Sequence, residues 1–229
     1  MEGYQRYAVY YAPEPGALAD FGARWLGWDA ARGRSHPPMD LPGLPRPSGE
    51  IAGAARRYGF HATIKPPFRL AGGESAEALD SALAEMCAWL GPVTLDAVLP
   101  ARLGHFLALV PRGRVTALAS LAAHVVMGLD AYRAAPGRDD ITRRRAEGLS
   151  ETQRALLMRW GYPYVMEEFR FHVTLSGRLE HDELIATEAA LTPQLRPLLP
   201  EPFPITSLCL FGERRDGFFR LLSRHHLGR

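Results

Sequence analysis

The sequence predicts a fold of mixed helices and strands that is built twice on one plan. FHATI begins at Phe60 and FHVTL begins at Phe171, so one short pattern occurs in both halves of the chain. Each copy lies in a predicted strand that leads into a helix and then into a pair of strands, an order typical of internal duplication. With 47% hydrophobic and 23% charged residues, the composition is that of a folded domain that buries a core.

The spacing within the two copies agrees over their length. His61 precedes the first predicted hairpin strand of its copy, at Val93, by 32 residues, and His172 precedes its own, at Ile205, by 33. We therefore predict a single domain over residues 1–229 made of two pseudo-symmetric lobes. In this division the first unit spans residues 57–112 and the second residues 168–224, with a charged helical insertion near residues 133–163 between them.

The individual elements follow from hydrophobic periodicity and from proline and glycine breaks. The sequence predicts a helix from Ser75 to Leu90, because Leu79, Leu83 and Met86 recur on one face and Ser75 can cap its start. In chain order we predict a strand (6–11), a helix (17–26), a proline-rich loop (37–47), a strand (57–65) stopped by Pro66 and Pro67, a helix (75–90), a hairpin (93–98 and 104–110), a helix (115–132), a helix (152–160), a strand (168–176), a helix (182–191) and a closing hairpin (205–211 and 217–223).

Each copy of the motif places a histidine and a threonine on one face of a strand, because alternate side chains of a strand point the same way. If the two units pack about a pseudo-two-fold axis, the two His–Thr pairs face each other across one groove. The expected same-face sets are His61, Thr63 and Lys65 in the first unit, and Arg170, His172, Thr174 and Ser176 in the second.

Such a groove suits acid–base chemistry on a phosphodiester. Imidazole has an unperturbed pKa of about 6.5, so one histidine can be neutral and the other protonated near neutral pH. The neutral ring can deprotonate an attacking water or hydroxyl, and the charged ring can protonate the leaving oxygen. Hydroxyls of Thr63 and Thr174 can donate to the phosphate oxygens, where charge develops. No metal is required, and no acidic cluster with metal-ligand spacing accompanies the histidines.

Each candidate residue also has a structural interpretation. A lone histidine in a strand is more often structural, and only recurrence in register favours a catalytic role for His61 and His172. Lys65, Arg170, Ser176 and Tyr58 are candidates for substrate binding, although a lysine is often a solvated charge and Tyr58 can simply pack in the core. The remaining histidines have no repeated motif around them, namely His36, His105, His124, His181, His225 and His226.

The paired FHATI and FHVTL resemble the signature of the two-histidine (2H) phosphoesterase superfamily. The longer strings RYGFHATIKPPFRLA and RWGYPYVMEEFRFHVTLSGRL are similar to its bacterial branch linked to phosphonate metabolism (DUF1045-like). This resemblance implies a bilobal, LigT-like α+β fold in which two antiparallel sheets face a central cleft with helices outside. It also implies metal-independent work on cyclic phosphates, with His61 and His172 catalytic and with Thr63 and Thr174 as phosphate ligands.

Three functions are open at this point. The first is a phosphodiesterase acting on a cyclic phosphate of a small nucleotide or sugar. The second is an RNA-end 2′,3′-cyclic phosphodiesterase or ligase, and the third is a non-catalytic module that binds a phosphorylated ligand or RNA. We expect a small phosphorylated substrate, with RNA as the alternative partner, no cofactor, no membrane contact and a monomer. A net charge of +2 and the lack of a targeting segment or a long apolar stretch favour a cytoplasmic protein.

Overall fold

A computed structural model describes residues 3–137 and 148–228 of the chain. The charged stretch at residues 138–147, part of the predicted insertion, lies outside the described residues. The strands are β1 Tyr7–Tyr11, β2 Trp28–Asp29, β3 Arg34–Ser35, β4 Ala62–Phe68, β5 Val93–Leu95, β6 Ala97–Leu103, β7 Phe106–Arg112, β8 Val173–Thr174, β9 Phe203–Ile205, β10 Ser207–Glu213 and β11 Phe219–His226. The α-helices are α1 Ala17–Leu26, α2 Ser48–Ala52, α3 Ala76–Trp89, α4 Thr116–Gly128, α5 Glu151–Trp160 and α6 His181–Leu195.

Most of the strands form one seven-stranded antiparallel sheet in the order β11-β10-β1-β4-β8-β7-β6. The predicted α+β class is confirmed. The two predicted antiparallel sheets are present as two halves of this larger sheet, which the pairing of Ala62 with Val173 joins at its centre. The two motif strands, β4 and β8, are therefore neighbours in the middle of the sheet.

The two duplicated units exchange their hairpins. The β6–β7 hairpin of the first unit pairs with β8, the motif strand of the second unit. The β10–β11 hairpin of the second unit pairs with β1, which in turn pairs with the first motif strand β4. Each half of the sheet thus combines strands from both units, and the sequence-contiguous units do not correspond to separate halves.

The helices and one face of the sheet enclose the main core. Residues of α1, α3, α4 and α6 pack with the strand residues that alternate onto that face, among them Val9, Ala62, Ile64 and Val173. On the opposite face, a smaller aromatic cluster joins Tyr10 to side chains of β10 and β11. Because Ala62 and Val173 belong to the main core, the histidines and threonines that flank them point to the opposite face.

Several predicted boundaries are wrong for identifiable reasons. The strand predicted over 57–65 begins only at Ala62, because residues Gly53–Tyr58 form a 3₁₀ helix. The observed strand β4 continues through Pro66 and Pro67, where the sequence predicted a stop. Both prolines lie at an irregularity in the pairing of β4 with β1, where no backbone N–H is needed for the ladder.

Two further predicted strands differ in their pairing. The strand predicted over 93–98 is split, because β5 leaves the hairpin and pairs with β9 in a separate two-stranded sheet. The strand predicted over 168–176 is only β8, since the backbone N–H groups of Leu175 and Ser176 both donate to the carbonyl of Leu107 and end the regular ladder.

Candidate active site

The register between the two motif strands brings both motifs into one compact group. In the antiparallel pair of β4 and β8, Ala62 lies opposite Val173, so His61 lies across from Thr174 and Thr63 lies across from His172. Directly opposed residues point to the same face of a sheet. The two motifs are therefore side by side on one sheet face, whereas the sequence predicted that they face each other across a groove.

The same backbone contact orients both imidazole rings. The Nδ1 atom of His61 lies 2.9 Å from the carbonyl oxygen of Gly59, and the Nδ1 atom of His172 lies 2.9 Å from that of Arg170. A carbonyl can only accept, so in each neutral ring Nδ1 carries the proton and Nε2 keeps a free lone pair. The Thr63 hydroxyl lies 3.3 Å from Nε2 of His61, within reach to donate to it. In both halves of the duplication the backbone thus engages Nδ1, which leaves Nε2 as the ring nitrogen for acid–base chemistry.

A sharp turn before β4 provides the first of these carbonyls. The 3₁₀ helix Gly53–Tyr58 ends at Gly59, whose φ of 75° belongs to the left-handed region. A Cβ at this position would lie 2.8 Å from the Cβ of Ala30, so a side chain is excluded by contact as well as by backbone strain. Gly59 therefore allows the chain to turn and to place its carbonyl within hydrogen-bond distance of Nδ1 of His61.

Aromatic rings pack around His61 and change its protonation. The ring of Tyr10 lies 3.9 Å from that of His61, and the ring of Tyr58 lies 5.9 Å away. Burial lowers the pKa of His61 to about 4; the Gly59 carbonyl opposes the shift and the nearby His172 adds to it. In the absence of a ligand, His61 is therefore neutral at pH 7, with the Thr63 hydroxyl next to its Nε2 lone pair.

An open cleft of about 570 Å³ lies beside the two motifs. Its walls include Tyr58, His61, Thr174 and Ser176, which the sequence predicted, and Phe106, whose ring is 5.9 Å from that of His172. The sequence reasoning missed His105, Phe106 and Arg178 on the cleft walls, and the buried Tyr10 that packs against the ring of His61. The signal for Phe106 was present, because it opens a hairpin strand of the first unit, whereas nothing in the sequence distinguished Arg178.

The structure does not place Lys65 in this cleft. A bulge in the pairing of β4 with β1 sets Lys65 opposite Val9, a main-core residue, although Thr63 lies opposite Tyr10. The regular alternation on which the prediction depended is broken there. The Lys65 ammonium is buried and donates to the carbonyl of Val126 on α4 at 3.0 Å, so the prediction that it shares the face of His61 is wrong.

Two other predicted residues make hydrogen bonds that involve the backbone: Ser176 through its hydroxyl and Arg170 through its carbonyl. The Ser176 hydroxyl accepts from the N–H of Leu107 at 2.8 Å and donates to the carbonyl of Gly177 at 2.9 Å. Its proton is therefore used within the fold, while the residue lines the cleft, and its role in substrate binding stays a prediction. Arg170 contributes its carbonyl to His172, while its side chain is exposed and is not part of the cleft wall.

Within residues 3–137 and 148–228, no three His, Cys, Asp or Glu side chains come together as ligands of a metal ion would. In that same part of the chain, no helix combines the length and the apolar character needed to cross a bilayer.

The two His-x-Thr motifs, which resemble the signature of the 2H phosphoesterase superfamily, lie on adjacent central strands of the sheet. The model of a protein family of unknown function, DUF1045, matches residues 63–220, and the chain belongs to this family. The expected relation to the DUF1045-like branch is therefore confirmed.

Two curated relatives are each named ribose 1,5-bisphosphate phosphokinase PhnN. The protein from Janthinobacterium sp. is 40% identical over 182 residues, which cover 79% of this chain and 40% of the relative. The protein from Laribacter hongkongensis is 37% identical over 220 residues, covering 94% of this chain and 50% of the relative. The chain thus spans half or less of the length of these relatives.

Solved structures with a related course of the chain include E. coli LigT in complex with 3′-AMP and TT0787 of Thermus thermophilus. LigT matches with 16% identity and a TM-score of 0.46, over 98% of this chain and 99% of LigT. TT0787 matches with 13% identity and a TM-score of 0.42, over 97% of each chain.

Proposed function

We propose that the protein is a phosphoesterase that opens a cyclic phosphate of a small nucleotide or sugar by acid–base catalysis between its two histidines. The observation that carries this proposal is the mirrored geometry of the two motifs. Each histidine holds its Nδ1 proton against a carbonyl two residues earlier, and each lies across the strand pair from the threonine of the other motif. A module that only binds phosphate has no need for two imidazole rings whose Nδ1 atoms are held in the same way by the backbone.

In the proposed reaction, His61 is the base and His172 is the acid. His61 is neutral because burial lowers the pKa of its ring to about 4, so its Nε2 can accept a proton from water. The water oxygen forms a bond to phosphorus while the bond from phosphorus to the leaving ester oxygen breaks. His172, entering the reaction protonated, gives its Nε2 proton to that oxygen. The histidines end with exchanged protonation states, which solvent resets.

The threonines are assigned to the non-bridging phosphate oxygens. Negative charge develops on these oxygens when the ring opens, and preorganised hydroxyl donors stabilise it. Thr63 and Thr174 each lie opposite the histidine of the other motif, so a phosphate between the rings has one hydroxyl on either side. A bound anionic phosphate also favours the charged form of the His61 ring and raises the pKa of His61 towards neutrality.

The cleft favours a small substrate. It has a volume of about 570 Å³, with the rings of Tyr58 and Phe106 on its walls and Arg178 as a cationic contact for a phosphate or hydroxyl group. The name of the relatives, ribose 1,5-bisphosphate phosphokinase, supports a ribose phosphate ester among the candidate substrates. P-loop kinase chemistry is not part of this proposal, because the only lysine in the sequence, Lys65, follows Ile64 and so cannot belong to a P-loop.

The test is turnover of a panel of ribose cyclic phosphates, 2′,3′-cyclic nucleotides and short RNAs with 2′,3′-cyclic ends. We expect hydrolysis of a small cyclic phosphate by the wild type and loss of most activity in His61→Ala and His172→Ala. A preference for RNA, with a rate constant that falls steeply with salt, would instead indicate an RNA-end enzyme, because RNA contacts release counterions. Binding of these esters without turnover of any would contradict the proposal.

A further inference from the structure

A second cavity, separate from the cleft of the two histidines, lies at the far end of β4. It has a volume of about 270 Å³ and shares no lining residue with the cleft. Polar walls from Arg6, Lys65 and Arg133 meet apolar walls from Phe68 and Trp160. Neither the proposed reaction nor the family description assigns a role to it.

The carboxylates at this cavity are already neutralised by arginines. Arg6 donates to both oxygens of Glu213, at 2.5 and 2.7 Å. Arg133 likewise contacts both oxygens of Asp130, at 2.8 and 3.2 Å, and its other N–H groups reach backbone carbonyls. Arg6 and Arg133 are thus each held by a carboxylate in a bidentate pair, whereas the Lys65 ammonium has no such bidentate pair among the described residues.

Lys65 is an unusual residue in this chain. It is the only lysine among 27 basic residues, and it is 1% exposed. Its ammonium has three donors. In the described part of the chain, the ammonium donates to the carbonyl of Val126 at 3.0 Å, pairs with an oxygen of Asp130 at 3.6 Å that Arg133 also binds, and lies 5.2 Å from the centre of the Phe68 ring. At least one donor next to the cavity therefore lacks an acceptor of its own.

A buried charge with incomplete hydrogen bonding destabilises the fold unless a partner completes it. Burial lowers the pKa of Lys65 to about 8, with Asp130 opposing the shift, so the amine still carries its proton at pH 7. Lysine is also a common ligand of phosphate and other oxyanions, as a compact point charge. An anionic oxygen in the cavity would therefore complete the hydrogen bonding of the Lys65 ammonium.

We propose that this cavity is a binding site for a small organic oxyanion, whose phosphate or carboxylate group contacts the Lys65 ammonium and whose carbon skeleton packs against Trp160 and Phe68. The site is independent of the two-histidine cleft, since the two cavities have no residue in common. Because Lys65 lies on the strand that also carries Thr63, the two sites are connected through β4.

The sole lysine makes the site directly observable. Protein labelled with ¹³C,¹⁵N-lysine gives the side-chain resonances of one residue, so titration with inorganic phosphate, methyl phosphate and acetate reports on Lys65 alone. We expect a saturable shift of the Lys65 ε resonance, and the phosphate and acetate arms decide which head group the site prefers. The same shift is expected in His172→Ala, in which the catalytic cleft is altered.

Tryptophan fluorescence gives the matched variant test. Trp160 lines the cavity, so phosphate is expected to change the emission of the wild type but not that of Trp160→Phe or of folded Lys65→Met. The absence of a saturable Lys65 shift with every probe would overturn the proposal, even if Lys65→Met fails to fold. A shift that disappears in His172→Ala would also overturn it, because the anion would then be bound in the cleft. Neither result depends on whether the cleft hydrolyses a cyclic phosphate.

Discussion

Burial of His61 makes the stability of the protein dependent on pH in a way that one substitution removes. The pKa of His61 falls from 6.5 to about 4 on folding, chiefly because the ring is desolvated. The unfolded chain therefore binds more protons at this position than the folded chain between these two values. The stabilisation is complete above pH 6.5 and is lost as the pH falls towards 4.

The magnitude follows from this difference in pKa. A difference of about 2.5 units corresponds to roughly 2 kcal/mol of lost stability by pH 5 and about 3 kcal/mol by pH 4, relative to pH 7. His61→Gln carries no titrating ring, so its free energy of unfolding is expected to fall less steeply with acid by these amounts. Urea unfolding at pH 7, 5.5, 5 and 4 measures both slopes, and pH-dependent proton NMR of the His61 ring measures its pKa directly.

His124→Gln is the matched control, because it removes a histidine that is exposed on α4. We expect its pH dependence to lie much closer to that of the wild type than the His61→Gln curve does. Parallel curves for His61→Gln and the wild type between pH 7 and pH 4 would refute the desolvated environment of His61, and with it the reason for assigning His61 as the base.

Three further substitutions test the site and its supports. Thr174→Val should lower kcat by about 100-fold with a small effect on KM, because it removes one hydroxyl donor to the developing charge. Thr174→Ser keeps this hydroxyl and should retain most activity. Equal kcat values for the two variants in steady-state kinetics would contradict the role of Thr174. Ser176→Ala should lower the free energy of unfolding by about 1–3 kcal/mol, because it leaves a buried N–H of β7 unpaired; an unchanged urea midpoint would count against this. Gly22→Ala should lower the free energy of unfolding by about 1–3 kcal/mol, because its Cβ would lie 2.2 Å from the Phe60 ring. Gly49→Ala should be nearly neutral, because the atom nearest to its Cβ would be 4.0 Å away. Equal melting temperatures of the two variants would refute the close packing at Gly22.

Local signals in the sequence predicted the local structure well. The helix predicted over residues 17–26 has those bounds, and the cap predicted at Ser75 accepts a hydrogen bond from the N–H of Ala78 at 3.0 Å. Both features depend on short-range spacing and on capping chemistry, which a single sequence displays. The duplication also identified the two motifs that the fold places on adjacent strands.

These local signals did not predict how strands distant in the sequence pair with one another. The bulge that turns Lys65 away from His61 arises from the register of β4 against β1, whose residues are more than fifty positions away. The exchange of the two hairpins likewise depends on how distant strands pair. Periodicity shows which residues share a face within one strand, but it does not show which strand lies next to another.

The same limit explains the residues that the sequence reasoning missed. Tyr10 belongs to β1 and reaches His61 only because β1 and β4 are neighbours. Arg178 and His105 carry no repeated motif, and they line the cleft through the turns that follow β8 and β6.

The central claim is that the two histidines act as one catalytic unit without a metal ion. The most direct measurement is the rate of hydrolysis of a single small cyclic phosphate, in the presence of EDTA, by wild type, His61→Ala, His172→Ala and the double variant. We predict that the wild type keeps its activity in EDTA, that each single variant loses most of it, and that the double variant is hardly slower than either, because residues that act as a unit are not additive. Loss of wild-type activity in EDTA, or small and additive effects of the two substitutions, would contradict this account.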